Sequence, residues 1–314
     1  MIIILNDLAL PVSGFRCGAA TLLLCLSAAH LPAEASQPNV VAVDGTLCDL
    51  TRTLAGSAAK VTCLIPPGGD PHGYQLKPSD RQALSKAALV VHIGFNLTPS
   101  AKKISAPGPV LAVGELALPN YRGNDPHVWH DPVNSSAIVS VLARQLSDVV
   151  AASDRPALAA RASQSKAVFD SLNGWASQQF GSLPAAQRVL VTDHQTYSHL
   201  ASRYGLEEIA MLDSYSTGGV LKPSSLRTIT SAVKASGAKT IFPPSLPVNK
   251  TLKRISRSTG LPISTTPLYG EGVGAGMTAI STSVKNICTM VNGQGGNCDR
   301  SAGNSLSNRW SAIR

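Results

Sequence analysis

From Val40 onward the chain alternates short apolar runs with stretches of helical character. Parallel strands cannot be joined by tight turns, so each needs a crossover segment, usually a helix, and this alternation predicts α/β architecture. Strands are expected at residues 40–43, 61–65, 88–93 and 110–113, with helices at 47–54 and 80–87. Pro66-Pro67-Gly68-Gly69 stops the second strand, and Ser79 is placed to cap the second helix. The middle, residues 135–180, reads as continuously helical, broken only at Ser153-Asp154-Arg155-Pro156, where Ser or Asp can cap and Pro can open a new helix. A helix over residues 156–180 would be close to 40 Å long at 1.5 Å per residue, enough to run from one lobe to another. The alternation then resumes, with strands at 188–192, 209–212, 240–242 and 263–268 and helices at 197–204, 224–236, 249–259 and 277–291. The expected fold is therefore two Rossmann-like lobes, residues 36–134 and 181–314, joined by the helical segment 135–180.

The N-terminus carries Arg16, an apolar run over residues 17–29, and Ala33-Glu34-Ala35. A basic residue, a short apolar stretch and small residues at the cleavage point make a secretory leader, and cleavage is expected after Ala35. The run is too short to span a bilayer, and the mature chain is expected to be exported and monomeric. Residues 1–15 hold Asp7 and Pro11 and no base, so the true start is open. Export also frames the cysteines: two of the six lie in the leader, leaving Cys48, Cys63, Cys288 and Cys298. Four cysteines allow three pairings. Proximity favours Cys288 with Cys298, which would close a Gly- and Asn-rich loop, and Cys48 can meet Cys63 only if its helix and strand present them to each other. Buried free thiols are the alternative.

Charged residues make up only 14% of the chain, and the formal charge of +9 reflects few acids more than many bases. The bases are scattered along the chain, as at Lys102, Lys103, Arg161, Lys166, Lys239 and Arg254, and aromatics are 4%. A nucleic-acid surface would more often cluster bases among aromatics, so no nucleic-acid partner is expected.

Three histidines stand apart: His72 in Asp70-Pro71-His72, His127 in Asp125-Pro126-His127-Val128-Trp129, and His194 in Val191-Thr192-Asp193-His194. Each of them, and Glu271, falls in a segment that follows a predicted strand, except that His127 opens the helical middle. In open parallel sheets ligands bind beyond the carboxyl ends of the strands, so these four would face one crevice, two from each lobe. Three neutral imidazoles and one carboxylate suit a tetrahedral divalent ion. Asp70 and Asp125, each two residues ahead of its histidine, could accept the second ring N–H or cap the loop. His130 is an accessory candidate, whereas His92 reads as a core residue and His199 is set aside. There is no Gly-x-Ser-x-Gly elbow, phosphate loop or His-Glu-x-x-His helix, so no enzyme is expected, a zinc hydrolase being the competing reading.

Taken together, Pro66-Pro67-Gly68-Gly69-Asp70-Pro71-His72 with Lys77-Pro78-Ser79-Asp80, Asp125-Pro126-His127-Val128-Trp129-His130-Asp131-Pro132, His194 with Tyr204-Gly205-Leu206, and Leu268-Tyr269-Gly270-Glu271 resemble the zinc- and manganese-binding solute-binding proteins of bacterial ABC transporters. The resemblance covers residues 40–291. It implies two α/β lobes bridged by a rigid helix, a metal buried between them, a periplasmic location and delivery to a membrane permease. By position, His72, His127 and His194 are the first three ligands. Manganese-type relatives place a carboxylate third, so His194 points to Zn²⁺, with Mn²⁺ as the alternative. Glu271, where the family has Asp, or a water in its place, completes the shell.

Overall fold

Val40 and Ala42 face one side of the first strand and Val41 and Val43 point to the other, and all four are buried. A strand buried on both faces belongs in the middle of a parallel sheet. In the computed structural model, which describes residues 37–212 and 223–313 together with Leu10 and Gly14, that is its position. The expected leader lies outside the described residues. Strands β1 (Asn39–Ala42), β2 (Lys60–Cys63), β3 (Leu89–His92) and β4 (Val110–Ala112) form an all-parallel sheet in the order β2-β1-β3-β4. Val40 lies opposite Val61 and Leu89 in register. Its crossovers are α1 (Gly45–Ala55), α2 (Pro78–Leu84) and the Pro99–Lys103 turn.

After β4 the chain forms a short α3 (Val113–Ala117), unannounced by any periodicity, and then α4 (Pro132–Val149) and α5 (Arg155–Gly181). Asp131 caps α4 by accepting the N–H of Val133, with Pro132 in the first turn. The 27 residues of α5 match the predicted long helix. Its Leu158, Val168, Phe169, Leu172 and Trp175 are buried in the main core with Ile138 and Leu142 of α4 and Leu47, Leu50 and Leu54 of α1. Arg161, itself buried, sends Nε to Leu54 O and Nη2 to Ala55 O, so α5 satisfies the open carbonyls at the end of α1.

The second sheet has the order β6-β5-β7, with β5 (Val189–His194), β6 (Glu207–Leu212) and β7 (Ile241–Phe242) all parallel. The strand expected at residues 263–268 is reduced to one bridge, Ile263 beside Ile241. Its two prolines, Pro262 and Pro267, remove ladder donors at either end. Around this sheet lie α6 (Ser198–Tyr204), α7 (Pro223–Ala235) and α8 (Lys250–Thr259), the last two sharing a core with Val189 and Val191. Two further helices, α9 (Ala279–Gly293) and α10 (Arg300–Ser311), return to α5 and α1, where Asp49 accepts both Ala279 N–H and Trp310 Nε1–H. The predicted last helix is thus the penultimate one. Residues Ser36–Arg314 form one compact unit. Two disulfides are present, Cys48–Cys63 linking α1 to β2 and Cys288–Cys298 closing the turn between α9 and α10. No helix among the described residues is long and apolar enough to cross a membrane.

Candidate metal centre

His72 sits in the loop after β2, where the Asp70 carboxylate accepts its backbone N–H at 2.8 Å. His127 lies in the segment that feeds α4, and Asp125 Oδ1 takes both its backbone N–H, at 3.0 Å, and its ring Nδ1–H, at 2.7 Å. Of the two aspartates, then, Asp125 orients an imidazole and Asp70 caps a loop. His194 is the final residue of β5 instead of following it, because the strand continues through Asp193. Glu271 stands between Gly270 and Gly272, the latter at φ 133°, a conformation that side chains rarely adopt.

These four residues converge. Their ligating atoms all lie within 4.8 Å of one another, the one such group of three or more His, Cys, Asp or Glu among the described residues. His72 Nε2 is 3.2 Å from His127 Nε2, Glu271 Oε2 is 3.2 and 3.4 Å from these two atoms, and Glu271 Oε1 is 2.7 Å from His194 Nε2. A tetrahedral ion with bonds near 2.0–2.1 Å holds its donors roughly 3.3 Å apart, so small adjustments would seat one here. The three rings meet edge to face, with centroids 5.1, 5.4 and 6.0 Å apart, which keeps each Nε2 pointed inward.

Burial alone would push the Glu271 carboxyl up, but hydrogen bonds from His127, His194 and His72 outweigh it and hold it well below its usual value. Burial likewise opposes charge on His127, yet its bonds to Asp125 and Glu271 raise the imidazole to about 9. Asp125, despite its own burial, is held down to about 2 by the same pairing with His127. The pairing with Asp125 and Glu271 thus favours the protonated form of His127 and the ionised form of Glu271.

The family model for the periplasmic zinc-uptake complex component A matches residues 40–293. The chain belongs to that family. It is a metal-binding, substrate-binding component of an ABC transporter, and a divalent metal is its cargo. Among relatives of the zinc-uptake family, the "High-affinity zinc uptake system protein ZnuA" of Paracoccus denitrificans is 28% identical over 276 residues, covering 73% of this chain and 82% of that protein. The "Manganese ABC transporter substrate-binding lipoprotein PsaA" of Streptococcus mitis is 24% identical over 260 residues, covering 77% of this chain and 83% of that one. The structure of the periplasmic zinc-binding protein TroA from Treponema pallidum superposes with a TM-score of 0.76 at 23% identity, over 82% of this chain and 99% of that chain, and shows the same two-lobe fold.

Among the described residues the remaining histidines have other partners. His130 is buried outside the group, its Nε2–H donating to Gly270 O at 2.9 Å and its ring against Tyr197 at 4.5 Å between centroids. It thus holds the residue before Glu271. On the other flank, Gly68 N–H donates to Val273 O at 2.9 Å. The loop carrying Glu271 is therefore fastened on both sides to segments of the first lobe. His199 Nε2–H donates to Asp125 O at 3.0 Å, and His92 ends β3, where burial pushes its imidazole down.

Sequence reasoning missed the support of His194. Thr196 Oγ1 lies 2.8 Å from His194 Nε2, and the mostly buried Glu208 carboxylate accepts the N–H groups of Thr196 and Tyr197, each at 3.0 Å, and the hydroxyls of Thr192 and Ser198. Glu208 sits on β6, and only the parallel register beside β5 brings it under this loop. The second missed pair is Arg203 with Asp131, a two-pronged ion pair at 2.8–3.0 Å that fastens α6 to the start of α4.

Proposed function

We propose that this protein captures Zn²⁺ through His72, His127, His194 and Glu271 and hands it to an ABC permease in the inner membrane. The observation that carries this reading is the convergence of three imidazole Nε2 atoms and one carboxylate in a buried pocket. Three nitrogen donors favour zinc over the harder, oxygen-preferring manganese. Manganese is the second reading, supported by the carboxylate of Glu271 and by relatives named for that metal. The reading includes a cleaved leader over residues 1–35, a periplasmic location, a monomeric chain, and lobes at residues 36–134 and 181–314 about the helical segment 135–180.

Titration of the metal-free protein with Zn²⁺ and with Mn²⁺ tests it. One equivalent of zinc should bind, more tightly than manganese, and His72→Ala combined with His194→Ala should abolish that binding. Failure to take up stoichiometric zinc, or an unaltered double variant, would sink the proposal. Elemental analysis of protein isolated from its native compartment separates the metals, with zinc expected.

A further inference from the structure

The bases are spread along the sequence, but the acids that would balance them are not. Residues 223–314 hold eleven of the 27 Lys and Arg and only two of the 18 acidic residues, so the whole formal +9 resides there and residues 1–222 balance at sixteen of each. Of the two acids, Glu271 is turned into the metal centre and Asp299 caps α10. Asp299 is exposed but lies at the start of α10, and neither α7 nor α8 carries an acidic residue.

The fold brings six of these cations onto two neighbouring helices and a seventh into the turn after the first of them. Helices α7 and α8 pack next to each other and bury Leu226, Val233, Leu252 and Ile255 in the same core. Exposed on these helices are Arg227 and Lys234 of α7, and Lys250, Lys253, Arg254 and Arg257 of α8 at the i, i+3, i+4, i+7 spacing of one helix face, with Lys239 in the turn after α7. All seven are exposed, and none forms an ion pair among the described residues. Four cations on ten residues without one acid is an arrangement that weakens the helix by self-repulsion. Beside the first of them, in the loop from β7 to α8, Leu246 is 54% exposed, while every other large hydrophobic exposed among the described residues lies before residue 134.

We propose that the α7–α8 face, with Leu246, is a docking surface for an anionic phospholipid bilayer. Seven exposed cations without an ion-pair partner among the described residues read charge density rather than shape, which a bilayer supplies and a specific protein epitope does not require. An apolar side chain at the rim of such a patch adds shallow interfacial anchoring. A transporter component held on the membrane surface would search for its permease in two dimensions. The inference stands on charge distribution alone and is independent of which metal is carried.

Co-sedimentation with vesicles of about one-third phosphatidylglycerol in phosphatidylcholine tests it, at about 50 mM and about 500 mM salt. The protein should bind at low salt and be released at high salt. Neutralising three cations with Lys253→Gln, Arg254→Gln and Arg257→Gln should lower partitioning on the order of 100-fold, at roughly a factor of five per charge. The matched variant Lys60→Gln, Lys102→Gln, Lys103→Gln, at exposed positions of the first lobe, should leave it unchanged. Absence of vesicle binding at low salt, an equal loss in the matched variant, or retention by a DNA duplex without retention by vesicles would each overturn the proposal.

Discussion

Asp125 Oδ1 and His127 Nδ1 are 2.7 Å apart, both side chains are almost wholly buried, and the same oxygen also accepts the backbone N–H of His127. One carboxylate oxygen thus fixes the tautomer of the ring, its rotation and the backbone that carries it, leaving Nε2 as the atom offered to the centre.

Asp125→Asn should therefore weaken metal binding by about 10- to 100-fold, the usual cost of losing the group that orients a liganding imidazole. Isothermal titration with Zn²⁺ checks this, and a variant that binds as tightly as the parent would refute the orienting role.

The proton held on His127 gives metal uptake a defined pH dependence. Because its pairing with Asp125 and Glu271 raises this imidazole to about 9, the metal-free site is protonated at neutral pH and must release that proton as an ion enters. Apparent affinity should rise close to tenfold per pH unit from pH 6 up to about 9 and then level off. Titration in buffers of different ionisation enthalpy should report about one proton released per ion, and a flat profile would exclude the coupling.

His130 fastens Gly270 and through it Glu271. His130→Leu should leave the Gly270 carbonyl without its donor, at a cost of about 1–3 kcal/mol in stability, and should weaken metal binding together with it. His130→Gln, which can present an N–H near the same place, should recover most of the binding. Thermal melts and the visible spectrum of the Co²⁺-loaded protein distinguish a displaced Glu271 from simple destabilisation.

Asp49, which joins α1 to α9 and α10, is raised from 3.8 to about 6 by burial, against the opposing bonds from Ala279 and Trp310. A carboxyl whose folded value is raised keeps its proton longer in the folded state. Its contribution is complete below pH 4 and is lost as pH rises to about 6, up to about 3 kcal/mol. Asp49→Asn retains an acceptor without the charge, so its melting temperature should fall less than the parent's between pH 4 and 7. Parallel curves would show that Asp49 does not titrate there.

Much of this architecture is legible in periodicity alone. The buried strands of both sheets announce themselves as β-branched runs, and α5 does so through Leu158, Val168, Leu172 and Trp175 at helical spacing. The four centre residues are visible because strand ends and turn residues mark them. Less legible are features that depend on register. Glu208 and Thr196 meet only because β5 and β6 pair in parallel, and no local pattern encodes that. The weak strand at 263–268 was overstated because its apolar residues flank prolines, and α10 was missed because its Ser- and Asn-rich sequence shows little beyond Leu306 and Trp310 as apolar anchors.

Glu271 follows the second sheet in sequence, yet its neighbours Gly270 and Val273 are bonded to His130 and Gly68. On its other side the same loop is tied back to the second sheet, Leu268 N–H donating to Pro243 O at 2.9 Å just beyond β7. Glu271 is therefore the one donor strung between the two sheets, so any shift of one sheet against the other would register at its carboxylate.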